Sequence, residues 1–301
     1  MQEEKSAEPQ GYCIQPNDIV TVTKMNHLTE IQYMEKMNRT ASIRKLNKDE
    51  YVLLETGEIK QFEHTENRSE SYNSLRQTFK KIRYLINNNF VGGSNELFVT
   101  LTYPGANMND PKKLYKDLDK FIKKLKYRYK SETTIDYLHV VEPHERGGFH
   151  VHSLLRFNEL KSIFIPNAEL ADIWGHGFVT IERIGDVDNI GAYLSAYLAD
   201  VELNEETVAV AMREGREVIE KEINGETKRF IKGGRLHMYP PKFRIFRKST
   251  GIAFPERKTM SYKNAKKVVG SSQPHYSKTY SIETDEFSNT LAFEQYNSKR
   301  K

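Results

Sequence analysis

Two histidines, a glutamate and two tyrosines have the types and the spacing to bind a metal ion and to supply a nucleophile. His150 and His152 lie two positions apart in FHVHSLLRF, which predicts a strand over residues 149–157. Successive side chains of a strand alternate between its faces, so both imidazoles project to one side. Glu142 ends a second predicted strand, residues 134–142, and lies opposite His150 if the hairpin has the matching register. Two imidazoles and a carboxylate would form an open site for a divalent metal.

Tyr193 and Tyr197, in NIGAYLSAYLAD, are the candidate nucleophiles. They lie four positions apart in a helix predicted over residues 188–199, so they share a face. A separate apolar stripe, able to pack on a sheet, consists of Ile190, Leu194 and Leu198. A phenol with its ordinary pKa of about 10 is a weak nucleophile at neutral pH, and a metal that draws charge from a phosphate would make its attack feasible. Each motif alone also has an ordinary interpretation, since His-x-His and tyrosine pairs occur in many folds without catalytic roles.

The elements that must position these side chains predict an α+β fold, an antiparallel sheet of about five strands with helices packed on one face. The predicted helices span residues 71–88, 111–129, 167–174, 188–199 and 204–223. The predicted strands of the same part span residues 97–103, 134–142, 149–157, 177–183, 235–238 and 243–246. The candidate metal site would lie on the exposed face of the sheet, with the tyrosine helix beside it.

Four segments are predicted along the chain. Residues 1–16 are expected to be disordered, and residues 17–65 to form a small β-rich segment marked by turn signals. Residues 66–250 carry the α+β domain with the candidate site. Residues 251–301 are expected to form a basic and polar tail that is loose after about residue 269.

Charge is distributed unevenly along the chain, although 46 basic and 41 acidic residues give a net charge of only +5. Basic residues gather in residues 112–130, 228–248 and 257–267, and acidic residues gather in residues 200–222. Lysines interleaved with tyrosines in the first of these stretches suit a polyanionic partner. A solvated helix face is the ordinary alternative for such a stretch.

Compartment signals favour a cytoplasmic protein. The single cysteine, Cys13, excludes an internal disulfide framework and a cysteine-rich zinc site. No apolar run approaches the roughly 18 residues of a membrane span, and the polar, acidic start MQEEKSAEPQ is atypical of a signal peptide. The sequence also contains no GxxxxGK[ST] stretch, the motif of a P-loop helicase.

Three motifs, in their order along the chain, resemble those of the rolling-circle replication initiators, the His-hydrophobe-His (HUH) endonucleases of phages and plasmids. The first is FVTLTY at Phe98–Tyr103, which resembles the opening strand of the family. The second is FHVHSLL, with His150 and His152 at the two metal-ligand positions. The third is YLSAY, where Tyr193 and Tyr197 are similar to the paired nucleophiles of the two-tyrosine branch. The resemblance extends over roughly residues 73–247.

The resemblance implies a metal-dependent, site-specific single-strand DNA endonuclease that initiates rolling-circle replication. Tyr193 or Tyr197 would attack the scissile phosphate of single-stranded or extruded origin DNA, giving a 5′-phosphotyrosine and a free 3′-OH. The other tyrosine would later re-ligate the strand by transesterification. Host helicase and polymerase are implied partners, and residues 1–65 would recognise the origin or a partner. The implied ligands of Mg²⁺ or of Mn²⁺, which imidazole suits better, are Glu142, His150 and His152.

One departure from the family concerns the lysine that usually lies three positions after each tyrosine. Ala196 and Asp200 occupy these positions. Three explanations stay open: another basic residue, such as Arg183 or Arg235, replaces the lysine, the substrate preference is altered, or nicking is weak. The candidate DNA-binding residues are Lys123, Lys124, Arg183, Arg235, Arg244, Arg247 and Lys248.

Two other classes of protein stay open. A non-catalytic DNA-binding module of the same fold would bind origin DNA without cutting it, which the missing lysines favour. A metal-dependent hydrolase with structural tyrosines would cleave with water and form no protein–DNA adduct. Within the favoured class, a rolling-circle transposase has the same chemistry and differs only in its DNA context. Conjugative relaxases place the tyrosine ahead of the histidines, so the order here favours an initiator or a transposase.

Overall fold

The computed structural model describes most of the chain, in two compact units. Unit 1 combines residues 1–65 with residues 255–301, and unit 2 consists of residues 66–254. The described residues are 13–36, 42–62, 72–104, 110–143, 148–183, 185, 189–192, 194, 201–203, 208, 218–223, 226–231, 238–239, 243–283 and 288–300. Within them, no helix is both long and apolar enough to cross a membrane.

Four helices and sixteen strands are assigned bounds. The helices are α1 (Tyr72–Asn89), α2 (Pro111–Arg128), α3 (Asn167–Trp174) and α4 (Tyr262–Val269). The strands are β1 (Ile19–Met25), β2 (Leu28–Met34), β3 (Ile43–Lys45), β4 (Glu50–Leu53), β5 (Ile59–Gln61), β6 (Glu96–Leu101), β7 (Ile135–Pro143), β8 (Phe149–Phe157), β9 (Val179–Glu182), β10 (Val201–Leu203), β11 (Val218–Ile223), β12 (Glu226–Ile231), β13 (Phe246–Lys248), β14 (Arg257–Ser261), β15 (Tyr276–Glu283) and β16 (Ser288–Asn297).

The main sheet of unit 2 has five strands in the order β13-β7-β8-β6-β9, and every neighbouring pair is antiparallel. This confirms the predicted α+β fold with a five-stranded antiparallel sheet. The β7–β8 hairpin forms because both segments are rich in β-branched and aromatic residues and alternate in burial. Its centre is the hydrophobic core of the unit, to which α1, α2 and α3 all contribute buried side chains.

Helix α2 begins and packs as its sequence predicts. The Asp110 side chain accepts a hydrogen bond from Lys112 N at 2.8 Å, and Pro111 occupies the first helical position, where its missing N–H costs nothing. One stripe of the helix is buried and consists of Leu114, Leu118, Phe121, Ile122 and Leu125. The opposite side keeps its lysines in solvent, so α2 covers the sheet with one face and presents positive charge on the other.

A partly buried polar cluster ties β7 to β8. The Asp136 carboxylate accepts hydrogen bonds from Arg156 Nη2 at 2.9 Å, from Ser249 Oγ at 2.7 Å and from Asn158 Nδ2 at 3.1 Å. Burial raises the pKa of Asp136, but the donors together hold it below its ordinary value. Gly251 approaches so closely that a Cβ there would lie 2.2 Å from Asp136 Oδ1. The cluster therefore requires both the carboxylate and the glycine.

Asp136→Ala is expected to lower the free energy of unfolding by about 3 kcal/mol, because it leaves the Arg156 guanidinium partly buried without its counter-ion. Urea unfolding at neutral pH measures this change. The matched control is Asp119→Ala, which removes a half-exposed partner of Arg247 and should cost about 1 kcal/mol or less. Equal losses in the two variants would contradict the role assigned to the Asp136 cluster.

Residues 201–231 correct one predicted element. An acidic helix is predicted over residues 204–223, but residues 218–223 form β11, which pairs with β12 in the sheet β10-β12-β11. Opposite charges face each other across this hairpin, with Arg229 Nε donating to Glu220 Oε1 at 2.9 Å. The Asn-Gly pair at positions 224–225 is a strong hairpin signal, and it outweighs the helical tendency of the acidic residues before it. The strand predicted at residues 235–238 lies almost wholly outside the described residues.

Unit 1 is built around a second antiparallel sheet, in the order β14-β1-β2-β16-β15, accompanied by the small sheet β3-β4-β5. Helix α4 packs on the large sheet through Ala265, in a core with Val20, Val22 and Ile31. Residues 257–297 thus supply three strands and a helix where the sequence predicts a polar tail. Their pairing partners lie in β1 and β2 at the other end of the sequence, which local sequence patterns do not reveal.

Candidate active site

The β7–β8 hairpin has the register on which the predicted metal site depends. Glu142 pairs with His150, and Val140 pairs with His152. On the other side of β8, His152 pairs with Thr100 of β6. Directly paired residues of antiparallel strands share a face, so the two histidines, Glu142 and Thr100 all belong to one face of the main sheet, called here the histidine face.

The imidazole of His152 is held on both sides. Its Nε2 lies 2.5 Å from Glu142 Oε2, and its Nδ1 lies 3.2 Å from Thr100 Oγ1. Phe98 stacks on the ring with a centroid distance of 5.6 Å and an interplanar angle of 8°. These three contacts fix the ring orientation, and the Thr100 hydroxyl can accept from Nδ1–H when Nε2 carries a lone pair. Such a neighbour sets the tautomer of a metal-binding histidine.

The donor set suits a divalent metal. Among the described residues no three histidine, cysteine, aspartate or glutamate side chains already form a metal-binding cluster. Glu142 and His152 nevertheless bring a carboxylate oxygen and an imidazole nitrogen together, and His150 is directly across from Glu142. An octahedral ion would place adjacent ligand atoms about 3 Å apart, so the pair would have to separate by roughly half an ångström. His144 lies outside the described residues.

Thr100 is a site residue that the sequence analysis did not single out. Its signal is present in the motif FVTLTY, where the alternation of β6 puts Phe98 and Thr100 on the same face. The register that brings Thr100 to His152 is a property of the folded sheet. A sequence pattern fixes which face a residue occupies, but not which neighbour it meets.

A second histidine pair lies on the opposite face of β7 and β8. His139 Nδ1 is 2.7 Å from Ser153 Oγ, and the ring stacks on Tyr137. His139 is 2% exposed. Burial, helped by the positive charge of Arg247, lowers the pKa of His139 to about 3. This imidazole is therefore neutral in the folded protein at any ordinary pH and belongs to the core.

The buried His139 predicts how stability depends on pH. The unfolded chain takes up a proton at this residue below about pH 6.5, while the folded chain does not until about pH 3. The free energy of unfolding should therefore fall with pH across this window, by about 1.4 kcal/mol per unit from this group. His139→Leu should make the pH dependence shallower by that amount in urea titrations from pH 6 to pH 4. Parallel curves for the two proteins would contradict the prediction.

The start of the predicted tyrosine helix is described, but the tyrosines are not. Residues 190–192 and 194 are helical, and Ile190 and Leu194 of the predicted apolar stripe are buried in the core. Tyr193, Tyr197, the stripe residue Leu198, and Ala196 and Asp200 at the usual lysine positions lie outside the described residues. The roles of both tyrosines therefore stay predictions.

The segment at residues 189–194 docks on α1. Gly191 N donates to Asn87 Oδ1 at 2.8 Å, and Asn87 Nδ2 donates to Asn189 Oδ1 at 2.9 Å. A Cβ at Gly191 would lie 2.7 Å from Arg83 O, so the close approach requires glycine. The end of α1 meets the histidine face, where Arg156 Nη1 donates to Asn89 O at 2.7 Å. Helix α1 therefore links the base of the tyrosine segment to the sheet that carries the histidines.

The predicted DNA-binding residues are in three kinds of surroundings. Lys123, Arg183 and Arg244 are exposed, and Arg235 lies outside the described residues. Lys124 is also exposed, although its Nζ donates to Ile173 O at 3.2 Å.

Arg247 and Lys248 are committed to internal contacts. Arg247 Nη2 pairs with Asp119 Oδ1 at 3.0 Å, and its guanidinium lies over the Tyr115 ring. Lys248 Nζ donates to Ile252 O at 2.6 Å. These contacts give both residues a structural role in holding β13 and the following turn, whatever else they bind.

One family matches the chain, over residues 96–202, and its description names the replication-associated protein ORF2. No curated protein matches. The matched interval begins at β6, includes the whole β7–β8 hairpin and extends past the tyrosine segment, so it contains all three motifs. Residues 96–202 are thus similar to this family of replication-associated proteins, and the match supports a replication-initiator role for this chain.

Proposed function

We propose that this protein nicks one strand of DNA at a replication origin and joins the 5′ end to one of its tyrosines. The observation that carries the proposal is the convergence of Glu142, His152 and Thr100 on one sheet face, with His150 across from Glu142. The family match over the same strands supports the same function. A sheet face with two imidazoles and a carboxylate has the donors for a metal-assisted phosphoryl transfer.

Glu142, His150 and His152 would hold Mn²⁺ or Mg²⁺, and the ion would supply charge withdrawal from the scissile phosphate. Thr100 would keep the His152 ring in the tautomer that presents the Nε2 lone pair. Phe98, stacked on the same ring, would keep it from rotating. The sheet thus provides a pre-positioned site, which lowers the entropic cost of assembling the reacting groups.

Tyr193 or Tyr197 would supply the nucleophile. The phenolic oxygen, having given its proton to solvent or a nearby base, forms a bond to phosphorus while the bond from phosphorus to the 3′ oxygen breaks. The departing 3′ oxygen takes a proton and becomes the 3′-OH that a host polymerase extends. The phosphotyrosine retains the energy of the broken bond, so the second tyrosine and the new 3′-OH can restore a closed strand without a nucleoside triphosphate.

A denaturing gel of the purified protein with labelled single-stranded oligonucleotides tests this function. With Mn²⁺ we expect a labelled band at the mass of protein plus DNA, and with a chelator we expect none. Mass spectrometry of the digested band should find the nucleotide on the peptide that contains residues 193–197.

Each other outcome of the gel identifies a different class. Cleavage without a covalent band would replace the tyrosine mechanism with water-dependent hydrolysis. Binding without cleavage would indicate a non-catalytic origin-binding module and would direct attention to Ala196 and Asp200. A covalent band would be shared by an initiator and a transposase, which the DNA neighbourhood of the gene separates.

A further inference from the structure

Phe178 is an aromatic side chain held out in solvent at the edge of the main sheet. Its side chain belongs to a residue that is 85% exposed. Its backbone is fixed, because Thr102 N and Thr102 Oγ1 both donate to Phe178 O, at 3.1 and 2.9 Å. Two positions later, Thr180 of β9 pairs with Thr100, the partner of His152. Phe178 is therefore a rigidly mounted, solvent-facing ring next to the row of residues that contains the candidate metal ligand.

A row of lysines on α2 faces the same corner. Lys113, Lys120 and Lys124 are seven and four positions apart, so they lie on one side of the helix. All three lower the pKa of His176, which burial lowers most and which Asp117 raises. His176 thus lies within the electrostatic reach of all three ammonium groups, and it is only two residues before Phe178.

The acidic residue in this row does not cancel its charge at the surface. Asp117 is 5% exposed and accepts from Tyr103 OH at 3.2 Å and from Lys113 Nζ at 3.1 Å, with His176 Nε2 at 3.4 Å. Its charge is directed inward, where it anchors Lys113 and His176. Lys120 and Lys124, about 6 Å apart along the helix axis, remain exposed and provide separate contacts for an extended polyanion.

We propose that Phe178, His176 and the lysine row of α2 form a track for single-stranded DNA that leads over the sheet edge to the histidine face. An unpaired base stacks on Phe178, and the phosphates on one side of it lie along Lys120 and Lys124. The proposal rests on the proposed function in taking DNA as the ligand. An exposed ring beside a row of cations suits an unpaired strand better than a duplex, whose bases have no free face for stacking.

Binding of a labelled oligonucleotide, followed by fluorescence anisotropy in chelator at several salt concentrations, tests the lysine row. Lys120→Gln with Lys124→Gln should weaken binding about 25-fold at about 0.1 M salt and reduce the slope of log K against log salt by about 1.4. The control, Lys116→Gln with Lys123→Gln, removes two exposed lysines from the neighbouring side of the same helix. Its slope should change by less than half as much. Equal changes would overturn the track in favour of diffuse attraction.

The aromatic part has its own matched control. Phe178→Ala should weaken single-strand binding about tenfold, while Phe164→Ala, which removes a ring that is 80% exposed elsewhere on unit 2, should change it by less than twofold. Unchanged melting temperatures would show that all variants are folded. Equal effects of the two phenylalanine variants, or no binding by the unaltered protein, would overturn the proposal.

These measurements are independent of the nicking reaction, because the chelator removes the metal. If the track variants lose binding but the unaltered protein forms no adduct with Mn²⁺, the proposed function fails and the track stands. If the unaltered protein forms the adduct and the track variants bind as it does, the track fails and the proposed function stands.

Discussion

Replacing Tyr193 and Tyr197 together with phenylalanine is expected to abolish the covalent protein–DNA band. The substitution keeps the ring and removes only the hydroxyl, so packing changes little while the nucleophilic oxygen is lost. No other group then takes over the attack, and the adduct should fall by more than about a thousandfold. The assay is the Mn²⁺-dependent denaturing gel with a single-stranded oligonucleotide.

The single variants rank the two tyrosines. If either phenol can start the reaction, each single variant retains a band and only the double variant loses it. The control is Tyr127→Phe, which removes the hydroxyl of a highly exposed tyrosine on α2 and should leave the band intact. Full adduct formation by the double variant would show that the nucleophile lies elsewhere in the chain.

His152→Ala is expected to lower the single-turnover nicking rate by more than about a thousandfold. It removes the ring that contacts both Glu142 and Thr100, and with it a ligand of the ion that would draw charge from the phosphate. Thr100→Val keeps the shape of the side chain but removes the partner of Nδ1. Changes to such orienting partners typically cost about 10–100-fold in metal affinity or activity, so this variant should be intermediate, with part of the loss recovered at higher Mn²⁺.

Two controls separate this effect from misfolding and from DNA binding. His275→Gln alters a histidine of unit 1, bonded to Gln295, and should leave nicking unchanged. Oligonucleotide affinity in chelator should be the same for His152→Ala and the unaltered protein. A His152→Ala protein that nicks at the full rate would exclude the metal site on the histidine face.

The hairpin that carries the candidate site was predictable because its signals are local. The alternation in residues 149–157 sets the face of each side chain, and the short connection after Glu142 restricts the register. Helix α2 was predictable for the same reason, since Asp110 and Pro111 mark its start and an apolar stripe marks its buried side. Thr100 was missed because its role depends on β6 lying beside β8, a pairing between strands about fifty positions apart.

Two errors have different physical origins. Residues 218–223 were predicted as helix because acidic and aliphatic residues favour it, yet the Asn-Gly turn that follows makes pairing with β12 the better solution. Strand β16 was missed because its partner is β2, at the far end of the sequence. Strand propensity depends on the neighbours a strand acquires, so a polar segment such as residues 276–297 carries little sign of its sheet.

The pairing of β2 with β16 also sets the order in which the chain can be completed during synthesis. Thr290 N donates to Glu35 across 255 positions, which a ribosome adding about 5–20 residues per second covers in roughly 10–50 s. Throughout that interval β2 has one open edge, and an unpaired edge recruits strands from other chains. Newly made unit 1 is therefore a natural client for chaperones, and a chain cut before β16 should accumulate in the insoluble fraction.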